Sequence, residues 1–240
     1  MPDRLPLAGR LVLIPGAGPA DVFYAPQVDA FGDAVLPGVE AAPPPNHSAK
    51  MLGRRYGEAL RDRFAAEGRP QTLVVAGASL GAVAAVEAAR VLEPDAVVLV
   101  GVSGTASLEA QLAERAARLT PAPLAAKGLK PMVAGFGLRE GLDDRSIGVC
   151  QQVSAAVGFE GVRSALAALS DWAAAAEWAD LSCPVHTIHG RDDWLLKLTG
   201  RPDEVIPSAR HLIHLTHPQT VNRFIKDAVE AAANTAAHAA

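Results

Sequence analysis

"VVAGASLGAV", residues 74–83, joins a β-branched apolar run to a helical one through a turn made of small residues. Within it, Gly77-Ala78-Ser79-Leu80-Gly81 spells Gly-x-Ser-x-Gly. Two accounts fit these five residues. Glycines ease any strand-to-helix turn, and the serine is then incidental. Alternatively, a sharp turn with only small neighbours to crowd it exposes the Ser79 hydroxyl as a nucleophile. The second account requires a strand before the motif and a helix after it, and the flanking patterns supply both.

The rest of the chain repeats that alternation. "LVLI" (11–14), "TLVVA" (72–76), "AVVLV" (96–100) and "VHTI" (185–188) read as buried parallel strands, with "AVL" (34–36) a weaker one. Ser48 can cap a helix that carries Leu52, Tyr56, Leu60 and Phe64 on one face and is closed by Gly68. Residues 80–92 read as a second helix. Strand–helix–strand repetition predicts an α/β fold, a mostly parallel central sheet with helices on both faces. The stretch 104–180 breaks the rhythm: "LEAQLAERAARL" and "EGVRSALAALSDW" are helical, and no strand is expected in it. This divides the chain into a core, 1–103 and 181–240, and a helical lid or cap insertion, 104–180.

Composition narrows the function classes. The chain has 240 residues, 50% hydrophobic and 20% charged, with a formal net charge of −4. That suffices for one sizeable core and carries no block of basic charge to hold nucleic acid or an acidic membrane surface. Cys150 and Cys183 are the two cysteines and form no Cys-x-x-Cys pair, so neither a disulfide framework nor a cysteine metal site is expected. The early apolar run is too short for a signal-peptide core, and no segment reaches the apolar length of a membrane span. A cytoplasmic protein is expected, a monomer or small homo-oligomer acting on a small molecule without metal or organic cofactor.

A serine hydroxyl needs a base, the base needs an orienting acid, and a tetrahedral oxyanion needs backbone donors. "LIPGAG" ends the first strand with a glycine turn that can bring the Ala17 N–H beside that of Leu80. It lacks the third glycine of a dinucleotide fingerprint and any Gly-Lys-Ser/Thr. "VHTIHGRDDW" ends a later strand and offers Asp192 and Asp193 as the acid. "SARHLIHLTHPQTVNRFI" offers His211, His214 and His217 as the base. Candidates to touch a substrate are Met132, Phe136, Trp172 and Trp178, with Phe23 and Tyr24 after the glycine turn, and most of these are expected to be core side chains instead.

Taken together, "LVLIPGAG", "GASLGA", "CPVHTIHGRDD" and the chain order Ser, Asp, His resemble the α/β-hydrolase superfamily, in particular small bacterial serine esterases with a helical lid. The family's usual His-Gly is replaced by Pro15-Gly16, and a helix usual between acid and histidine is missing. The resemblance implies that the acid lies three residues beyond Gly190, at Asp193. It also implies a base seven residues before the proline that opens the last helix. With Pro218 as that proline the base is His211, and "DEVI" becomes a short final strand. The rival assignment makes "RHLIHL" the strand and His217 the base. Serine at position 79 rather than aspartate separates the chain from the dehalogenase and epoxide hydrolase branches. The implied activity is cleavage of a carboxylic ester with a small or medium acyl group. Thioesterase, carbon–carbon hydrolase and acyltransferase chemistry use the same three residues, and a non-catalytic binding protein on this fold is the alternative from another class.

Overall fold

The computed structural model describes residues 7–16, 18–37, 48–172 and 177–239. In chain order its elements are β1 (Arg10–Ile14), α1 (Ala20–Phe23), α2 (Ala25–Ala30), α3 (Ala49–Glu67), β2 (Leu73–Ala78), α4 (Leu80–Leu92), β3 (Ala96–Val100) and β4 (Gly104–Ala106). There follow α5 (Leu108–Leu119), α6 (Ala122–Glu140), α7 (Asp144–Ser170), β5 (Val185–Gly190), β6 (Leu196–Leu198), β7 (Glu204–Ile206), α8 (Ile213–Thr216) and α9 (Pro218–Ala239).

Five strands form one sheet in the order β1-β2-β3-β5-β7, and every neighbouring pair is parallel. A sheet covered on both faces asks for continuous apolar strands, which is why β1, β2 and β3 carry almost no polar residue. Alternation then sorts each strand between two cores. Val12, Ile14, Val75 and Leu99 face α3 and α4, packing with Tyr56, Leu60 and Val86. Leu11, Leu13, Val74 and Val98 face α9, packing with Val221, Ile225 and Val229. Ser48 caps α3 by accepting the Met51 N–H at 3.2 Å, and Gly68 at φ 98° ends it. Where α3 crosses α4, a Cβ at Gly53 would stand 2.1 Å from the Ala84 carbonyl oxygen, so glycine there sets how closely the two helices approach.

Two expectations need correction. Segment 104–180 does contain a strand: β4 pairs antiparallel with β6, outside the main sheet, and three residues are too few to show a period. Residues 34–36 form no strand, because Val35 makes a single parallel bridge to Val12. Helices α5, α6 and α7 stand between β4 and β5, with α7 broken at Gly158, φ 66°. No helix among the described residues is long and apolar enough to cross a membrane.

Candidate active site

β2 ends at Ala78 and α4 begins at Leu80, so Ser79 is the turn between them. Its backbone stands at φ 54° and ψ −124°, a region that a side chain adopts only under strain. The glycines have a steric cause. A Cβ at Gly77 would lie 2.2 Å from the Gly81 carbonyl oxygen, and one at Gly81 would lie 2.4 Å from that of Ile14. At Gly16 it would meet the Gly81 nitrogen and Leu80 Cβ, each at 2.5 Å. The turn after β1 and the turn after β2 therefore touch through backbone. Tyr24 binds them further, its hydroxyl donating to the Ile14 carbonyl and accepting the Ala78 N–H, both at 2.8 Å. Burial pushes the Tyr24 phenol well above its ordinary pKa and keeps it neutral.

Ser79 Oγ lies 2.6 Å from His211 Nε2, and His211 Nδ1 lies 2.8 Å from Asp193 Oδ2. With Nδ1–H donating to the carboxylate, Nε2 is left to accept the serine proton. Asp193 is buried and its other oxygen accepts the Leu195 and Leu196 N–H groups, each at 2.9 Å. Burial pushes the Asp193 carboxyl up. His211 and the Leu196 N–H outweigh that and hold it below the usual carboxylate value. Burial likewise lowers His211, but the Asp193 charge and hydrogen bond, with the more distant Glu140, raise it on balance. The neighbouring candidates go elsewhere. Asp192 is exposed. His217 Nδ1 sits 2.9 Å from the Thr216 hydroxyl. His214 is fully enclosed against Phe23, ring centroids 4.4 Å apart, and burial lowers its pKa to about 3, so it stays uncharged.

Leu80 opens α4, and the first N–H groups of a helix have no partner inside it. That leaves the Leu80 N–H available at the serine. Ala17, the other expected donor, lies outside the described residues, between Gly16, which lines the cavity over Ser79, and Gly18.

The cavity over Ser79 measures about 450 Å³. Its floor is Ser79, Leu80 and His211, and its walls are largely apolar residues of α6 and α7. Of the candidates to touch a substrate, Phe23, Met132 and Phe136 line it. Tyr24, Trp172 and Trp178 do not. Trp172 is core, donating Nε1–H to the Val102 carbonyl at 2.8 Å and packing against Trp178.

Three neighbours of this cluster were missed in the sequence. His189, buried on β5, accepts the Ser103 N–H at Nδ1 and donates Nε2–H to the Leu196 carbonyl at 3.0 Å, so it is neutral. It stands 3.5 Å from the Asp193 carboxylate. Trp194 follows Asp193 and lines the cavity, with the Arg139 guanidinium 3.8 Å above its ring. Glu140 ends α6 as a buried carboxylate, accepting the Trp194 indole N–H on one oxygen and the Leu212 N–H on the other at 2.9 Å. It thereby holds the residue after Asp193 and the residue after His211 together. Among the described residues no cluster of metal-ligating side chains occurs.

A family model described as "Alpha/beta hydrolase family" matches residues 11–224. Solved structures of similar fold include a thermophilic esterase from Thermogutta terrifontis, 17% identical over 95% of this chain and 91% of that one, with a TM-score of 0.64. An enol-lactonase from Burkholderia xenovorans is 18% identical over 92% and 91%, TM-score 0.63. A proline iminopeptidase from Mycobacterium smegmatis is 17% identical over 98% and 93%, TM-score 0.61. No curated protein sequence matches significantly. At these identities the structures share the fold, and their differing activities leave the chemistry to the site itself.

Proposed function

Because this chain belongs to the alpha/beta hydrolase family, we propose that it is a serine hydrolase cleaving carboxylic esters with an apolar acyl group, through Ser79, His211 and Asp193. The observation that carries this reading is the hydrogen-bonded line of those three residues at the floor of an apolar cavity. Ser79 Oγ attacks the acyl carbonyl carbon while its proton passes to His211 Nε2. Asp193 fixes the tautomer of His211 and stabilises the imidazolium that forms. The backbone N–H groups of Leu80 and Ala17 take the oxyanion, aided by the N-terminal dipole of α4. Collapse of the tetrahedral intermediate breaks the ester C–O bond, and the imidazolium gives its proton to the departing alkoxide. Water, deprotonated by His211, then attacks the acyl-enzyme, the acid leaves, and Ser79 recovers its proton. No metal or organic cofactor enters, and α5, α6 and α7 act as a lid over the bound acyl group.

Ester preference over thioester or carbon–carbon cleavage rests on the same three residues, so the test is a substrate panel. Hydrolysis of p-nitrophenyl esters by the wild type should fall by a factor of ~10³ or more in Ser79→Ala and His211→Ala. His217→Ala should retain it. A fluorophosphonate probe should label Ser79 in the wild type alone among these serine and histidine comparisons, apart from His217→Ala. Absence of labelling together with ester rates no faster than Ser79→Ala would favour a non-catalytic binding role.

A further inference from the structure

We infer that the site takes a long aliphatic acyl chain, whose tail runs past the cavity over Ser79 into a second chamber between α5, α6 and α7. This rests on the acyl-transfer reading above. A second cavity, also about 450 Å³, lies against the first, and the two share Ala113, Met132, Val162 and Leu166 as a common wall. A molecule that keeps its carbonyl at Ser79 and also fills this chamber must therefore be elongated.

The chemistry of the second chamber restricts what that elongated part can be. Ala117 on α5, Gly128 on α6 and Phe159 on α7 complete walls without a charged group. The single hydroxyl there, Thr120 Oγ1, already donates to the Ala116 carbonyl at 2.7 Å. Nothing in the chamber rewards a polar or anionic tail, and burying one without a partner is costly. Methylene groups need only apolar surface. The room comes from small residues: alanines at 113 and 117 fall one turn apart on one face of α5, and Gly128 faces them from α6. Met132 stands in the shared wall, and its unbranched side chain can turn aside more readily than a β-branched one. The chamber opens to solvent at Leu124, 66% exposed, and at the exposed Ala116, Gly128 and Met132, so a tail longer than the chamber can emerge at the surface. The chain-length profile should therefore rise and level off rather than fall.

The probes are p-nitrophenyl butyrate, octanoate and dodecanoate, each at concentrations below micelle formation. In the wild type, kcat/KM should increase at least tenfold from butyrate to dodecanoate, with a ceiling of about fourfold per methylene while the chain is still being buried. Gly128 lines the chamber and a Cβ there meets nothing within 4 Å, so a larger side chain is accommodated beside the tail without a clash. Gly128→Phe should cut the dodecanoate-to-butyrate ratio at least tenfold, and Gly128→Ala should give a smaller cut. Calorimetric binding of dodecanoate itself needs no turnover, and Gly128→Phe should weaken it at least tenfold. A wild-type ratio near one, or the same ratio or dodecanoate affinity in the wild type and in a folded Gly128→Phe, would overturn the assignment. If no ester is hydrolysed and Ser79 is unlabelled, yet dodecanoate binds in a Gly128-dependent way, the acyl-transfer reading fails and the chamber assignment stands.

Discussion

Ser79 is where local conformation and chemistry conflict. A residue at φ 54° and ψ −124° costs about 1–3 kcal/mol relative to relaxed backbone, and glycine accepts such angles without a Cβ penalty. The fold holds the serine there because the turn is clamped from several sides: Ser79 N–H donates to the Val100 carbonyl at 2.9 Å, and Tyr24 ties β1 to β2 just behind it. Comparing two variants without the hydroxyl isolates the strain. Ser79→Ala and Ser79→Gly both lose the hydroxyl and its bond to His211, but only glycine relaxes the turn. Even after the extra chain entropy that glycine loses on folding, Ser79→Gly should be the more stable by about 1 kcal/mol. Urea or thermal unfolding of the pair reads this difference directly. Equal stability, or a more stable alanine variant, would mean the turn is not strained in solution.

At the scale of elements, Glu140 joins α6 to the two loops that carry Asp193 and His211. Its carboxylate accepts from Trp194 and Leu212 at once, a task that an amide side chain fills only half as well, since Gln has a single acceptor oxygen. Glu140→Ala would leave the buried Leu212 N–H without a partner, at about 1–3 kcal/mol. Glu140→Gln tests a subtler consequence. In the proposed mechanism His211 must be neutral to take the serine proton, and it is held above the ordinary histidine value of ~6.5 in part by the Glu140 charge. The kcat/KM profile should thus rise with pH along a limb centred above that value. Removing the charge lowers the pKa, so in Glu140→Gln the limb should move to lower pH. A purely structural role would reduce the plateau and leave the midpoint in place, which is the result that would sink the electrostatic coupling.

For the whole molecule, what the sequence reveals follows from what periodicity can report. Alternating and continuous apolar runs mark buried elements, so β1, β2, β3 and β5 and the helices α3 and α4 are legible to within one or two residues at their ends. The glycines around Ser79 are legible as spacing, whereas the seven-residue interval from His211 to Pro218 carries meaning only through the family resemblance. Periodicity does not tell which partner a buried polar group will meet. Glu140 lies 54 residues from Trp194 and 72 from Leu212, and His189 lies 86 from Ser103, so each reads as an ordinary helix or strand position until the chain is folded. β4 and β6 are too short to show any period, and only their pairing defines them. The same distinction separates the sheet from the helical insertion in stability. The sheet is sandwiched by two extensive cores, whereas α5 buries only Ala110, Glu114 and Ala117. Leu108 and Leu119 on α5, with Leu124 and Leu138 on α6, remain largely exposed. The Arg139–Glu109 pair linking the two helices is half-exposed on both sides and adds little. Few buried apolar contacts mean a small free energy of local opening. Backbone amides of α5 and α6 should therefore exchange with solvent at least a hundredfold faster than those of β1, β2 and β3 under native conditions. Dodecanoate, by adding apolar contacts between α5, α6 and α7, should slow exchange in the insertion and leave the sheet nearly unchanged. Uniform protection across both regions would show the insertion to be part of one cooperative unit with the core, and substrate entry would then have to proceed without its opening.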